Sequence, residues 1–136
     1  MKAPKEEFEQ KALVQWLKIK KIPHFSVPNE NLFVTLLKKY LPKNLTHLII
    51  TIEKKLKDMG KIKGASDIFI FMPKCLVVIE LKRVPNKLKS GKLSYTNSKT
   101  SQEQLDFIEM ANEYPYAKAK VCYGYLSAIE FIKEWL

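Results

Sequence analysis

Arginine and long apolar segments are both scarce in this sequence. Arg83 is the only arginine among 24 basic residues, so two-pronged guanidinium contacts with guanine are few and contacts with phosphate are the more natural use of the charge. The longest aliphatic run, around Leu76–Ile79, has the length of a strand. Because a helix that crosses a bilayer needs about 20 apolar residues, we expect that this chain is not a membrane protein.

Cysteines and signal-peptide features are scarce as well. Cys75 and Cys122, the two cysteines, lie far apart in strand-like runs, and the amino end has no apolar segment of the kind found in secretory signals. We therefore expect free thiols, no zinc site and a cytoplasmic location. Gly60 and Gly64 match no glycine-rich phosphate-binding loop.

Positive charge is what the sequence has in excess. Its 24 basic and 14 acidic residues give a net charge of +10 in 136 residues. This excess favours a polyanionic partner, nucleic acid first and an anionic membrane surface second. A soluble protein that simply has many lysines is the alternative. The length predicts a single domain spanning residues 1–136.

Hydrophobic periodicity predicts an α/β chain in the order α-β-α-α-β-β-α-β-α. The first helix runs from about Pro4 to Lys20. Two apolar runs of strand length, Ser66 to Met72 and Leu76 to Leu81, are separated by a short turn and predict a hairpin that is buried on both faces. The polar stretch from Arg83 to Lys99 is expected to be a long exposed loop.

Charged residues stand at the ends of these two apolar strands. Asp67 opens the first strand, and Glu80 and Lys82 close the second, on one side because they are two residues apart. In a hairpin, the start of the first strand faces the end of the second, so we expect the three side chains to lie close together. Two carboxylates are ligands that Mg²⁺ prefers, and a lysine beside them suits phosphodiester hydrolysis. A structural ion triplet is the alternative.

The same residues carry a resemblance to a known family. Gly64-x-x-Asp67 and Glu80-Leu81-Lys82-Arg83 resemble motifs of the PD-(D/E)xK nuclease superfamily, and more closely those of its VRR-NUC family of small phage and bacterial nucleases. Further similarities follow in chain order: Glu6 with Gln10, Val27-Pro28-Asn29, Ser101 with Gln104, and the closing Val121-Cys122-Tyr123-Gly124. The resemblance implies a restriction-endonuclease-like core, a mixed β-sheet flanked by helices.

The resemblance also implies a metal site on the hairpin. Asp67 and Glu80 would bind Mg²⁺ or Mn²⁺ together with the backbone carbonyl of Leu81, and Lys82 would be the catalytic lysine. Ser66 departs from the pattern, since the superfamily usually has proline there.

Two helices would complete this site. The resemblance implies that Gln104 reaches in from the later helix and that an acid is supplied by the first helix. Glu6 fits the motif with Gln10 one turn later, while Glu7 and Glu9 stay open as competing candidates.

Basic residues and one tyrosine are candidates for contacts with nucleic acid. One group leads directly to Asp67, and the other follows Lys82 in the expected loop, where Tyr95 can stack on a base or sugar. The candidates are Lys61, Lys63, Arg83, Lys87, Lys89, Lys92, Lys99 and Tyr95.

Taken together, these features predict a DNA endonuclease that uses Mg²⁺ or Mn²⁺ and has low sequence specificity. Branched, flap or Holliday-junction DNA is the expected substrate class, and the resemblance implies a homodimer in the cytoplasm of a bacterium or phage-infected cell. Two alternatives stay open. One is a catalytically inactive nucleic-acid-binding module of the same fold, and the other is a basic subunit of a phage or mobile-element assembly.

Overall fold

The computed structural model describes residues 3–27 and 30–136, so Pro28 and Asn29 of the Val27-Pro28-Asn29 match lie outside the described residues. The chain divides into two units. The sheet unit is Met1–Ser26 with Gly64–Leu136, and the helical unit is Val27–Lys63. In the described part of the chain, no helix has both the length and the apolar character needed to cross a membrane.

A four-stranded mixed sheet forms the centre of the sheet unit. The strands in chain order are β1 (His24–Ser26), β2 (Ile68–Phe71), β3 (Leu76–Lys82), β4 (Asn86–Lys87), β5 (Leu93–Ser94) and β6 (Ala117–Tyr123). The sheet has the order β1-β2-β3-β6, while β4 and β5 form a separate two-stranded ribbon. β2 is antiparallel to both β1 and β3, and β6 runs parallel to β3.

Helices cover both faces of this sheet. The α-helices of the described residues are α1 (Glu6–Ile19), α2 (Glu30–Tyr40), α3 (His47–Asp58), α4 (Gln102–Asn112) and α5 (Tyr125–Lys133). On one face, Leu13 of α1 and Ile132 of α5 belong to a buried cluster with Ile79. On the other face, Ala111 of α4 is buried with Val78. Since side chains alternate along β3, residues 80 and 82 project to the α4 side.

The helical unit is inserted between β1 and β2. It consists of α2, a 3₁₀-helix at Lys43–Leu45 and α3. The sequence predicted two helices here, and this prediction is confirmed. Outside residues 83–99 the predicted order of elements is also confirmed, as is the mixed sheet flanked by helices.

One predicted segment differs from the structure. Residues 83–99 were expected to form a loop, but they contain the β4–β5 ribbon. The Leu88 N–H donates to the Lys92 carbonyl over 2.8 Å, and Gly91 closes the turn with φ of +82°. Strands of two residues are too short to show an alternating pattern, which is why periodicity missed them.

Candidate active site

Asp67 and Glu80 lie opposite each other at the open end of the β2–β3 hairpin. The register pairs Ile68 with Ile79, and extending it by one residue pairs Asp67 with Glu80. Such cross-strand partners have Cβ atoms about 4.5–5.5 Å apart. The side chains are buried, since Asp67 is 7% exposed and Glu80 is 1% exposed. The hairpin therefore brings together the two carboxylates that the sequence singled out.

Backbone geometry fixes the Asp67 carboxylate and aims a carbonyl toward it. Asp67 Oδ2 accepts a hydrogen bond of 2.7 Å from the Leu81 N–H. The Lys82 carbonyl accepts from the Gly124 N–H, on the β6 side of β3. Because successive carbonyls of a strand point to opposite neighbours, the Leu81 carbonyl points to the side of Asp67.

Lys82 and Gln104 meet on one oxygen of Glu80. Lys82 Nζ lies 3.1 Å from Glu80 Oε1, and Gln104 Nε2 donates a hydrogen bond of 2.6 Å to the same oxygen. The other oxygen, Glu80 Oε2, is buried and finds no hydrogen-bond donor among the described residues. An anionic oxygen without a donor at this depth is costly unless a proton or a cation balances it.

The start of α4 orients the Gln104 amide. Ser101 Oγ accepts from the Gln104 N–H over 3.2 Å, and Gln104 Oε1 accepts from the Ser101 N–H over 2.9 Å, which together make a capping box. With Oε1 held by the backbone, Nε2 is directed at Glu80. The sequence match of Ser101 with Gln104 thus corresponds to a helix cap that also supplies a site residue.

Gly64 allows α4 to approach the segment that leads to Asp67. Its φ is +84°, and a Cβ there would lie 2.5 Å from the backbone carbon of Glu103. No other residue type fits both the conformation and the space. The Gly64-x-x-Asp67 pattern therefore couples the Asp67 strand to the helix turn that carries Gln104.

Burial shifts the pKa of both carboxyl groups upward. Removal from water, followed by the negative charge of Asp67, raises the pKa of Glu80 to about 8. Burial also raises the pKa of Asp67, although the Leu81 N–H and the Lys82 ammonium oppose this. A proton held by Glu80 can be donated to Asp67, so the pair tends to share a proton near neutral pH.

The three acids of α1 have different surroundings. Glu7 is exposed and pairs with Lys11 over 2.6 Å. Glu9 is only 2% exposed, and its Oε2 accepts a 2.8 Å hydrogen bond from the Tyr125 N–H, at the start of α5. Glu6 is the one of the three whose charge raises the pKa of Glu80. The charge of Glu6 therefore acts on the site, and its role as the first-helix acid stays a prediction.

Sequence reasoning missed the capping role of Glu9. The N-cap residue of α5 is Gly124, which has φ of +87° and no side chain to cap the helix. Glu9 supplies that acceptor from α1, more than a hundred residues away. A glycine before a helix that lacks Ser, Thr, Asp or Asn is the only sequence signal for such a distant cap.

The predicted nucleic-acid contacts fall into three groups. Arg83 donates from Nε to the Pro4 carbonyl over 3.0 Å and from Nη2 to the Ala3 carbonyl over 2.7 Å, so it fastens the segment before α1 to the end of β3. Lys61 and Lys63 belong to the helical unit. The remaining candidates are exposed residues that follow β3: Lys87, Lys89, Lys92, Lys99 and Tyr95.

The donor set at the hairpin end fits a hard divalent cation. It comprises two carboxylates and the Leu81 carbonyl, and Glu80 Oε2 accepts no hydrogen bond within the part of the chain that the structure describes. Mg²⁺ commonly takes one or two carboxylates and keeps several waters. Within residues 3–27 and 30–136, no group of three His, Cys, Asp or Glu side chains has metal-binding geometry, so the protein would supply a partial coordination shell. Cys75 and Cys122 are free thiols, as predicted.

Comparison with known proteins finds a similar fold. A solved structure described as a "VRR_NUC domain protein" matches with a TM-score of 0.67 and 19% sequence identity, over 100% of this chain and 91% of that chain. No protein-family model matches the sequence, and no curated protein does. At this level of identity, the likeness shows a common fold.

Proposed function

We propose that this chain is a VRR-NUC nuclease of the PD-(D/E)xK superfamily, which hydrolyses DNA phosphodiester bonds with Mg²⁺ or Mn²⁺. The observation that carries the proposal is the buried pair Asp67 and Glu80. Lys82 contacts Glu80 Oε1, and no donor among the described residues reaches Glu80 Oε2. Two adjacent buried carboxylates lose hydration and repel each other, and a net charge of +10 elsewhere on the chain does not offset this cost. A cation bound between them would offset it. The shared fold with a "VRR_NUC domain protein" supports the same proposal.

Asp67, Glu80 and the Leu81 carbonyl would hold the cation. When bound, it would polarise the phosphate, lower the pKa of a water and stabilise the leaving oxygen. The Leu81 N–H keeps Asp67 Oδ2 in a fixed orientation. Gln104 and Lys82 both act on Glu80 Oε1, which leaves Oε2 directed away from them.

Lys82 would orient the attacking water and offset the charge that develops on phosphorus. Its side chain is buried, with the residue 6% exposed, so its charge is little screened by solvent. Glu6 would add a negative charge on the side of α1, as its electrostatic effect on Glu80 suggests.

The proposed substrate is branched or flapped DNA that is recognised through its backbone and shape. One arginine in the chain leaves few means of reading bases, whereas the lysines suit phosphate contacts. A homodimer would match the two-fold symmetry of a junction. Sedimentation velocity with and without a four-way junction tests the dimer.

The test of the activity uses forked, junction and linear DNA with Mg²⁺, Mn²⁺ or EDTA. We expect cleavage with either metal, none with EDTA, and loss of cleavage in Asp67→Asn. Lys82→Ala should keep DNA binding and lose cleavage. Equal loss of binding and cleavage would contradict the catalytic role of Lys82.

A second candidate function is an inactive nucleic-acid-binding module. The 3.1 Å ion pair between Lys82 and Glu80 favours it, because a structural Asp67–Lys82–Glu80 triplet would show the same contact. Titration of Mn²⁺ into the DNA-free protein separates the two functions. Binding that is lost in Asp67→Asn supports the nuclease, and no binding by the folded protein supports the inactive module.

A further inference from the structure

Residues 84–99, here called the arm, have positive charge and no acidic residue. The arm contains the β4–β5 ribbon and four lysines, Lys87, Lys89, Lys92 and Lys99, all of which are exposed. Asp and Glu are absent from this segment. No charge on the arm itself therefore neutralises its lysines, and the arm attracts a polyanion.

The arm begins where the candidate active site ends. β3 closes at Lys82, and the arm follows directly after Arg83. Lys89, near the tip, follows Lys82 by seven residues, so at about 3.3 Å per extended residue it reaches at most about 23 Å from the end of β3. This upper limit corresponds to about seven nucleotides of one strand at 3.4 Å each.

Contacts at the base hold the arm in one orientation. Ser98, which is 3% exposed, donates from Oγ to the Arg83 carbonyl over 2.9 Å. Asn86 Oδ1 accepts a 3.1 Å hydrogen bond from the Ala3 N–H. A ribbon of two-residue strands is marginal by itself, so these contacts give the lysines a defined position relative to the site.

Tyr95 is the aromatic residue of the arm. Its ring meets that of Tyr123 edge-on, with centroids 5.3 Å apart and planes at 75°, and Tyr95 stays 46% exposed. Tyr123 pairs with Lys82 in the parallel β3–β6 register. Tyr95 thus contacts Tyr123, which is the neighbour of Lys82 on the adjacent strand.

We propose that the arm binds the DNA strand next to the cleavage site, with its lysines on phosphates and Tyr95 stacked on an unpaired base. This inference rests on the proposed function and names its substrate class, which is duplex DNA with unpaired nucleotides beside the scissile phosphate. Bases within a duplex are covered by their neighbours, so only an unpaired base offers a face to the ring.

The stacking contact is tested by metal-free binding. Fluorescence anisotropy in EDTA compares a forked DNA with a fully paired duplex of equal length. Tyr95→Ala should weaken binding of the fork about tenfold and leave duplex binding within about twofold, because the stacking contact is lost. Tyr95→Phe keeps the ring and should bind the fork like the wild type. Equal affinities of Tyr95→Ala and the wild type for the fork, or equal losses on both DNAs, would overturn the stacking role.

The lysine contacts are tested by salt dependence. Replacing Lys87, Lys89 and Lys92 by Gln should lower the slope of log K against log salt by about 2–3 on both DNAs, since each phosphate contact contributes about 0.9. The matched control replaces three exposed lysines near the end of α1: Lys18, Lys20 and Lys21. An equal change of slope in the control would overturn the assignment of phosphate contacts to the arm.

Two further measurements distinguish a failure of this inference from a failure of the proposed nuclease function, and test a different partner. Fork binding that depends on Tyr95, without metal-dependent cleavage, would support DNA binding by the arm and refute the nuclease function. Metal-dependent cleavage that the arm variants do not affect would support the nuclease function and refute DNA binding by the arm. Binding to anionic phosphatidylglycerol vesicles that depends on the arm, with DNA binding unchanged, would assign the arm to a membrane surface.

Discussion

Replacing Glu80 with Gln is expected to stabilise the protein at alkaline pH. In the metal-free protein, burial and the charge of Asp67 raise the Glu80 pKa to about 8 from an ordinary 4.5. A carboxyl group with a raised pKa favours folding while it is protonated. The stability that protonated Glu80 contributes to the folded state is fully present below about pH 4.5 and is lost as the pH rises through about 8. The amide introduced by Glu80→Gln would carry no charge at any pH and would not show this loss.

The size of the effect follows from the two pKa values. The difference between 4.5 and about 8 corresponds to about 5 kcal/mol, at 1.4 kcal/mol for each pH unit. Sharing of the proton with Asp67 reduces this, so we expect Glu80→Gln to gain about 3 kcal/mol over the wild type between pH 5 and pH 9. For a chain of this length, that amounts to roughly 10 °C in Tm.

Urea or thermal unfolding at pH 5, 7 and 9 measures this gain. Glu109→Gln, on the exposed side of α4, is the control for a change of one charge. Mg²⁺ binds ionised carboxylates, so adding it at pH 8.5 should stabilise the wild type and leave Glu80→Gln unchanged. A stability difference between the wild type and Glu80→Gln that does not change with pH would show that ionisation of Glu80 does not destabilise the folded protein.

Three other substitutions test how the site is positioned. Gly64→Ala should lower the free energy of unfolding by about 3 kcal/mol or more, because the added Cβ meets the backbone of α4. Gly60→Ala is the control, with a positive φ but open space, and should lower it by about 1 kcal/mol. Equal losses in urea unfolding would contradict the close approach of Gly64 to α4. Glu9→Ala should lower the free energy of unfolding by about 1–3 kcal/mol, because it removes the buried acceptor of the Tyr125 N–H. Glu7→Ala should change it by no more than about 0.5 kcal/mol, since Glu7 forms an exposed ion pair. The opposite order would be inconsistent with the capping role of Glu9. Arg83→Gln should lower cleavage and leave the salt dependence of DNA binding unchanged, because its guanidinium binds backbone carbonyls; a reduced salt slope would instead show contact with phosphate.

Local patterns were sufficient to predict the hairpin that carries the carboxylates, whereas the mixed sheet was expected from the family resemblance. Residues 68–72 and 76–79 are apolar throughout; β3 is buried beyond Leu76, and β2 buries Ile68 and Ile70 but leaves Phe71 exposed. The strand period then put Glu80 and Lys82 on one side, where their side chains meet. The contact between Gln104 and Glu80 was expected only from the family resemblance, because no local rule links residues that are 24 apart.

Two hydrogen-bonded contacts between residues far apart in the chain could not be predicted from the sequence. Nothing near Glu9 indicates that it caps α5, and nothing near Arg83 indicates that it binds the carbonyls of Ala3 and Pro4. Both contacts join the first residues of the chain to elements far along it, so they depend on the completed sheet. The sequence likewise left Glu6, Glu7 and Glu9 as competing candidates, since all three lie within one turn of α1.

Cleavage of forked DNA with Mn²⁺ by the wild type, Glu80→Gln and the control Glu109→Gln tests the central claim most directly, with DNA binding measured in EDTA on the same samples. We expect that the wild type and Glu109→Gln cut the DNA, and that Glu80→Gln binds it and leaves it intact. Cutting by Glu80→Gln at the wild-type rate would contradict the role of Glu80 in cleavage. So would a folded, DNA-binding wild type that cuts no branched DNA with either metal.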